Sequence, residues 1–132
     1  RHPDLRVYHY SDYETVHLRR LAARSDHPSL VAASVLIRDH FVDLFGYVRD
    51  NFVGVDGLGL KIVASRGVGF HWRDEEAGGL NSQSWFNEAV SGSTDAARAA
   101  ARARVLDYNE DDVRATLAVR RWLTAQDSSA GH

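Results

Sequence analysis

Val105-Leu106-Asp107-Tyr108-Asn109-Glu110-Asp111-Asp112-Val113-Arg114-Ala115-Thr116-Leu117-Ala118-Val119-Arg120-Arg121-Trp122 is the stretch on which the reading of this chain turns. Val105, Tyr108, Asp112, Ala115, Val119 and Trp122 recur at steps of three and four, so one stripe of a helix carries them all. Each suits a buried seam except Asp112. A carboxylate facing an interior loses its hydration, and it must then find hydrogen-bond donors, take up a proton or hold a cation. Two readings stay open: Asp112 holds a metal ion, or the stripe is broader than drawn and Asp112 reaches water or pairs with an arginine.

The chain has 132 residues, 44% hydrophobic and 26% charged, which predicts one globular domain rather than a disordered segment. No apolar run is long enough to span a bilayer and no charged-then-apolar leader is seen, so the expected location is the cytoplasm, with no membrane partner. The absence of cysteine excludes disulfides, zinc–thiolate sites and thiol catalysis. A metal here must be held by oxygen or imidazole, and hard oxygen ligands favour Mg2+ or Mn2+. The net charge of −2 announces no nucleic-acid binder, but 15 of the 16 basic residues are arginine, and Lys61 is the only lysine. Arginine is the better phosphate clamp because its planar fork donates two hydrogen bonds at once; a high-GC coding bias gives the same skew.

Along the chain, alternation over residues 5–10 predicts a short strand. Ser11 then caps a helix to about residue 24, with Glu14 in the capping-box position. A second helix is expected over 29–39, extended chain over 42–44, and a helix over 43–51 with Asp43 complementing its dipole. The glycine-rich turn at 54–59 lacks the lysine–serine ending of a phosphate loop. A short helix over 60–65 should stop at Arg66-Gly67, followed by extended chain over 68–72 and a polar loop over 73–79. Ser82 or Ser84 should cap a helix over 85–90. Residues 95–103 and 107–125 read as two further helical stretches, with the domain ending near 125 and a frayed tail over 126–132.

The strand-to-helix junction His9-Tyr10-Ser11-Asp12-Tyr13-Glu14-Thr15-Val16-His17-Leu18 resembles the second motif of the DEDD proofreading exonucleases of the RNase H-like superfamily. His9, Tyr13, Glu14 and Leu18 match the motif's histidine, aromatic, acid and leucine. Tyr10 and Glu14 depart from the usual asparagine and aspartate, as in the branch found in RecB-type nuclease–helicase proteins. Tyr108 and Asp112 match the Tyr-x-x-x-Asp third motif of the tyrosine subclass, and a step of four places them one turn apart on one face. The resemblance runs from Val7 to about Leu123. It implies an α/β, RNase H-like fold of which this chain is the C-terminal portion, mostly helical with one or two short strands. It also implies hydrolysis of phosphodiester bonds by two divalent ions about 4 Å apart. Glu14 and Asp112 would be metal ligands, Tyr108 would orient the attacking water, and Lys61 and His9 would contact substrate.

The first motif, Asp-x-Glu on an opening strand, has no counterpart here, since Asp4 lacks a glutamate two places on. The expectation is therefore a partial domain whose N-terminal part lies elsewhere in a larger protein, 3'–5' exonuclease-like in the parent and largely inactive alone. DNA is expected before RNA as substrate, with a helicase domain as a neighbour and an exposed sheet edge over 5–10 as a route to a homodimer. A non-catalytic nucleic-acid-binding or structural module on the same scaffold is the alternative. Each site residue also has a plainer role. Glu14 can serve the helix cap, Tyr108 can be a core tyrosine, Lys61 a surface lysine and His9 a strand-end histidine. Arg98, Arg102 and Arg104 read as helix solubility, and Trp72, Trp85 and Trp122 as packing.

Overall fold

The computed structural model describes residues 4–131; residues 1–3 and His132, the ends of the expected domain and tail, lie outside the described residues. Strand β1 (Val7–His9) is followed by the helical hairpin α1 (Tyr13–Ala23) and α2 (Pro28–His40), and β2 (Phe41–Asp43) returns parallel to β1. The register pairs Val7 with Phe41, Tyr8 with Val42 and His9 with Asp43. Parallel strands need a long crossover, and α1–α2 supplies it. Helix α3 (Leu44–Asn51) follows at once. A short helix α4 (Leu60–Ile62) runs into a π-helical turn (Val63–Val68), and α5 (Gly79–Ser91) leads to the long α6 (Asp95–Ala130). The expected mostly helical α/β class holds.

Local chemistry explains these boundaries. Asp43 Oδ1 accepts from the Phe45 amide at 3.0 Å, capping α3 as its position predicts, and from the Ser11 amide at 2.9 Å. One carboxylate thus ties the end of β1 to the start of α3. Ser11 consequently sits at φ 72, and the expected Ser11–Glu14 capping box does not form. The N-cap of α1 is Asp12, which makes no side-chain cap bond, and Glu14 is released from the capping role. Helix α2 opens at Pro28, whose fixed φ suits a first helical position.

Three other boundaries differ from expectation. The π-helical turn carries α4 past Gly67 to Gly69, whose left-handed φ of 78 ends it while the Phe70 amide reaches Ala64 O at 2.8 Å. Helix α5 starts at Gly79, before Ser82 and Ser84. The two helical stretches expected at the C-terminal end are one helix. Thr94 Oγ1 caps it by accepting from the Ala97 amide at 3.1 Å, and with no glycine or proline inside, its 36 residues continue to Ala130. Such a helix is about 54 Å long.

The core lies where α6 crosses the sheet end: Tyr10, Leu44, Val48, Val63, Ala64, Ala115 and Val119 are buried together. Tyr10 also donates a hydrogen bond to Leu58 O, which pins the glycine-rich turn to the core. Helix α5 packs along the first half of α6, with Trp85 edge-on to Tyr108 at 6.1 Å.

Candidate functional site

Between β1, α1 and α6 runs a groove of about 620 Å³, walled largely by Val7, Leu18, Phe41, Leu60, Val113 and Leu117. His9, Glu14 and Asp112 also line it. The two acids lie 98 positions apart in sequence, on α1 and α6. They reach one cleft because β1 delivers the chain to α1 at the same sheet end that α6 crosses. His9 is buried, 8% exposed, with Nδ1 2.6 Å from Ser11 O and 3.9 Å from Glu14 Oε2.

Asp112 is half-buried. Trp72 Nε1 donates to its Oδ1 at 2.8 Å, and the Tyr108 phenol interacts with the same carboxylate. Loss of hydration raises its pKa above the ordinary aspartate value, against the opposing pull of the Trp72 hydrogen bond, the Lys61 ammonium and the Tyr108 hydroxyl. The Tyr108 phenol is pushed up by burial first and by the Asp112 charge second. Lys61 does not line the groove. Its ammonium lies 5.3 Å from the Trp72 ring centroid and 5.5 Å from that of Tyr108, and burial lowers its pKa while Asp112 and Asp74 oppose the shift. Tyr108 and Lys61 therefore adjoin Asp112 without lining the groove, while His9 and Glu14 share the groove with it.

The acid buried most deeply on α6 is Asp111, 3% exposed, not Asp112. Asp111, Ala115 and Val119 form the buried row at steps of four, so the seam is rotated slightly from the stripe read in the sequence. The arginine pairing anticipated for Asp112 falls to this neighbour. Arg73 donates to Asp111 through its backbone amide and through Nε, both at 2.9 Å, and its Nη2 reaches Asp107 O and Glu110. Arg104 likewise binds Asp74 and Glu76 while stacking over Trp85 at 4.0 Å. The residues after the π-helical turn are thus clamped to α6 rather than paired as a strand. Sequence reasoning missed Trp72, Arg73 and Asp111. The available signal was the Trp72-Arg73 pair set against Asp111-Asp112.

Glu14 and Asp112 offer the oxygen donors that suit a hard cation in kind. They do not complete a shell. Among the described residues no three histidine, aspartate or glutamate side chains cluster closely enough to hold a metal ion. Water or further carboxylates would have to supply the remaining positions. No described helix is long and apolar enough to cross a membrane.

No curated protein and no solved structure matches this chain. A family model described as RNase_H superfamily matches residues 1–124, nearly the whole sequence. The chain, with its parallel strand pair and long closing helix, belongs to the RNase H superfamily.

Proposed function

We propose that this domain is part of a metal-dependent nuclease, of the tyrosine-type DEDD class and the RecB-like branch, that hydrolyses phosphodiester bonds in DNA, or in RNA, from the 3' end. The observation that carries the reading is the convergence of Glu14 and Asp112 on one groove from opposite ends of the chain. Superfamily membership supports a nuclease-type fold and a nucleic-acid substrate.

Glu14 and Asp112 would hold Mg2+ or Mn2+, and a bound ion of this kind supplies water activation and charge neutralisation at the leaving oxygen. Tyr108, braced by Trp85 and leaning on Asp112, orients the water. Lys61, held against two aromatic faces beside Asp112, would contact an incoming phosphate. His9, beside Glu14 at the sheet end, would contact substrate.

Two carboxylates make an incomplete site, so the reading includes a first Asp-x-Glu motif in a preceding part of the same domain, within a larger cytoplasmic protein that also carries a helicase. The chain by itself then binds metal weakly and cleaves little, and its β1 edge is the seat for the missing strands or for a second copy. The lack of a three-member ligand cluster among the described residues favours one other reading, a non-catalytic nucleic-acid module.

Thermal melting with MnCl2 separates the two. The nuclease reading expects millimolar Mn2+ to raise the melting temperature, with the rise lost in Asp112→Ala and in Glu14→Gln. No rise in the unaltered chain, together with metal-independent and salt-sensitive binding to single-stranded DNA, overturns it in favour of the binding module.

A further inference from the structure

Two consecutive residues grip two consecutive acids: Trp72 donates to Asp112 at 2.8 Å, and Arg73 donates twice to Asp111 at 2.9 Å. The chemistry of the two grips differs. A guanidinium neutralises the carboxylate it binds, and here Arg73 Nε and the Arg73 backbone amide occupy both oxygens, so Asp111 is committed to anchoring. An indole N–H is an uncharged donor with no acceptor role, so it fixes the direction of a carboxylate and leaves the negative charge in place. Among the described residues, Trp72 is the one side chain outside α6 that hydrogen-bonds Asp112. The indole is itself held, edge-on to Phe70 at 5.1 Å, with the Lys61 ammonium over its face and Arg73 pinning the next residue to α6.

We propose that Trp72 is a positioning residue: its indole N–H turns the Asp112 carboxylate toward the groove without neutralising it, and the Arg73–Asp111 pair is the latch that keeps the indole at that height on α6. The orientation stands on the hydrogen bond alone; its consequence for metal rests on the reading of Asp112 as a ligand. Groups that orient a metal ligand from behind typically alter metal affinity about 10- to 100-fold when removed.

The test uses the 15N-labelled chain, whose three tryptophan indole signals are assigned by single Trp→Phe variants. Asp112→Ala is expected to shift the Trp72 indole signal and speed its exchange with water, leaving the Trp122 signal unmoved. MnCl2 is expected to broaden Trp72 well before Trp122. Trp72→Phe keeps an aromatic face beside Lys61 and removes the N–H; it should weaken Mn2+ binding about 10-fold or more. Trp122→Phe should leave Mn2+ binding unchanged. A Trp72 indole that ignores Asp112→Ala overturns the positioning role whatever the metal does, and this readout needs no folded Trp72 variant. Mn2+ binding that is unaltered in a folded Trp72→Phe overturns it with the metal site intact. Absence of Mn2+ binding in the unaltered chain instead removes the nuclease reading, and the indole shift still decides whether Trp72 orients Asp112.

Discussion

Replacing Val119 by alanine probes the seam that sets Asp112 at its height beside the groove. Val119 is fully buried, packed in one cluster with Tyr10, Leu44, Val48, Val63, Ala64 and Ala115. The substitution removes two methyl groups, which at about 0.8 kcal/mol each gives a transfer loss near 1.6 kcal/mol. The residual cavity adds roughly 1 kcal/mol if some 40 Å³ stays empty, at about 24 cal/mol per Å³. The expected loss is thus about 2 to 3 kcal/mol. For 132 residues the unfolding entropy at the midpoint is roughly 0.28 kcal/mol/K, so the melting temperature should fall by about 7 to 11 °C. Circular dichroism melts at 222 nm read this directly. Val113, on the same helix but 70% exposed, is the internal control, and its alanine variant should stay within about 0.5 kcal/mol of the parent. A Val119→Ala melt within about 2 °C of the parent, or a Val113→Ala melt equally depressed, would refute the placement of α6 on its core.

At the elbow between α5 and α6, a Cβ on Gly92 would lie 2.6 Å from Glu88 O and 3.2 Å from Arg98 Cγ, so Gly92→Ala must displace one helix. It should cost about 1 to 3 kcal/mol in a denaturant titration, and an unchanged midpoint would count against this elbow. Ser11→Gly relieves a left-handed residue and should be neutral or stabilising by up to about 1 kcal/mol, whereas a working Ser11–Glu14 capping box would make it destabilising. Burial and the Asp43 charge push the Tyr10 phenol up to about 12 from 10.0. Because the native value is the higher one, the stability carried by neutral Tyr10 is complete below 10 and disappears as the pH rises through about 12. That component is at most roughly 2 to 3 kcal/mol, and Tyr10→Phe should flatten the alkaline limb of stability measured against the parent. An equally steep limb in the variant would place the titration elsewhere.

How much could be read from sequence depended on whether the deciding interaction was local. Strand β1 and helices α2 and α3 declare themselves because alternation, Pro28 and Asp43 act within a few residues of where they stand. The start of α1 misleads because the same Asp43 reaches across 32 positions to the Ser11 amide and sets its backbone. A serine with a glutamate three places on is a sound local signal for a cap, but a distant carboxylate outcompetes it. The π-helical turn was hidden for a related reason. Gly67 and Gly69 are equally able to end a helix, and burial of Val63 and Ala64 beneath α6 favours the later stop.

The candidate site shows the same division more sharply. Glu14 and Asp112 each sit in a recognisable spacing and both line one groove, yet nothing local marks Asp111, a rotation of about 100° away around the helix, as the more deeply buried acid. Their neighbours on the facing segment tell them apart. Arg73 can neutralise a buried acid, so the acid opposite Arg73 can be buried; Trp72 can direct an acid but not neutralise it, so the acid opposite Trp72 stays half in the groove. Exchanging the two partners would exchange the two roles. In a Trp72→Arg, Arg73→Trp double variant, Asp112 would gain a guanidinium and Asp111 would lose one, leaving a buried carboxylate without its countercharge. Such a chain should melt lower than either single change predicts by addition, and it should lose Mn2+ binding while Asp112 itself remains. Additive melting shifts with Mn2+ binding retained would show that the order of Trp72 and Arg73 is incidental, and that the division of labour between Asp111 and Asp112 has another cause.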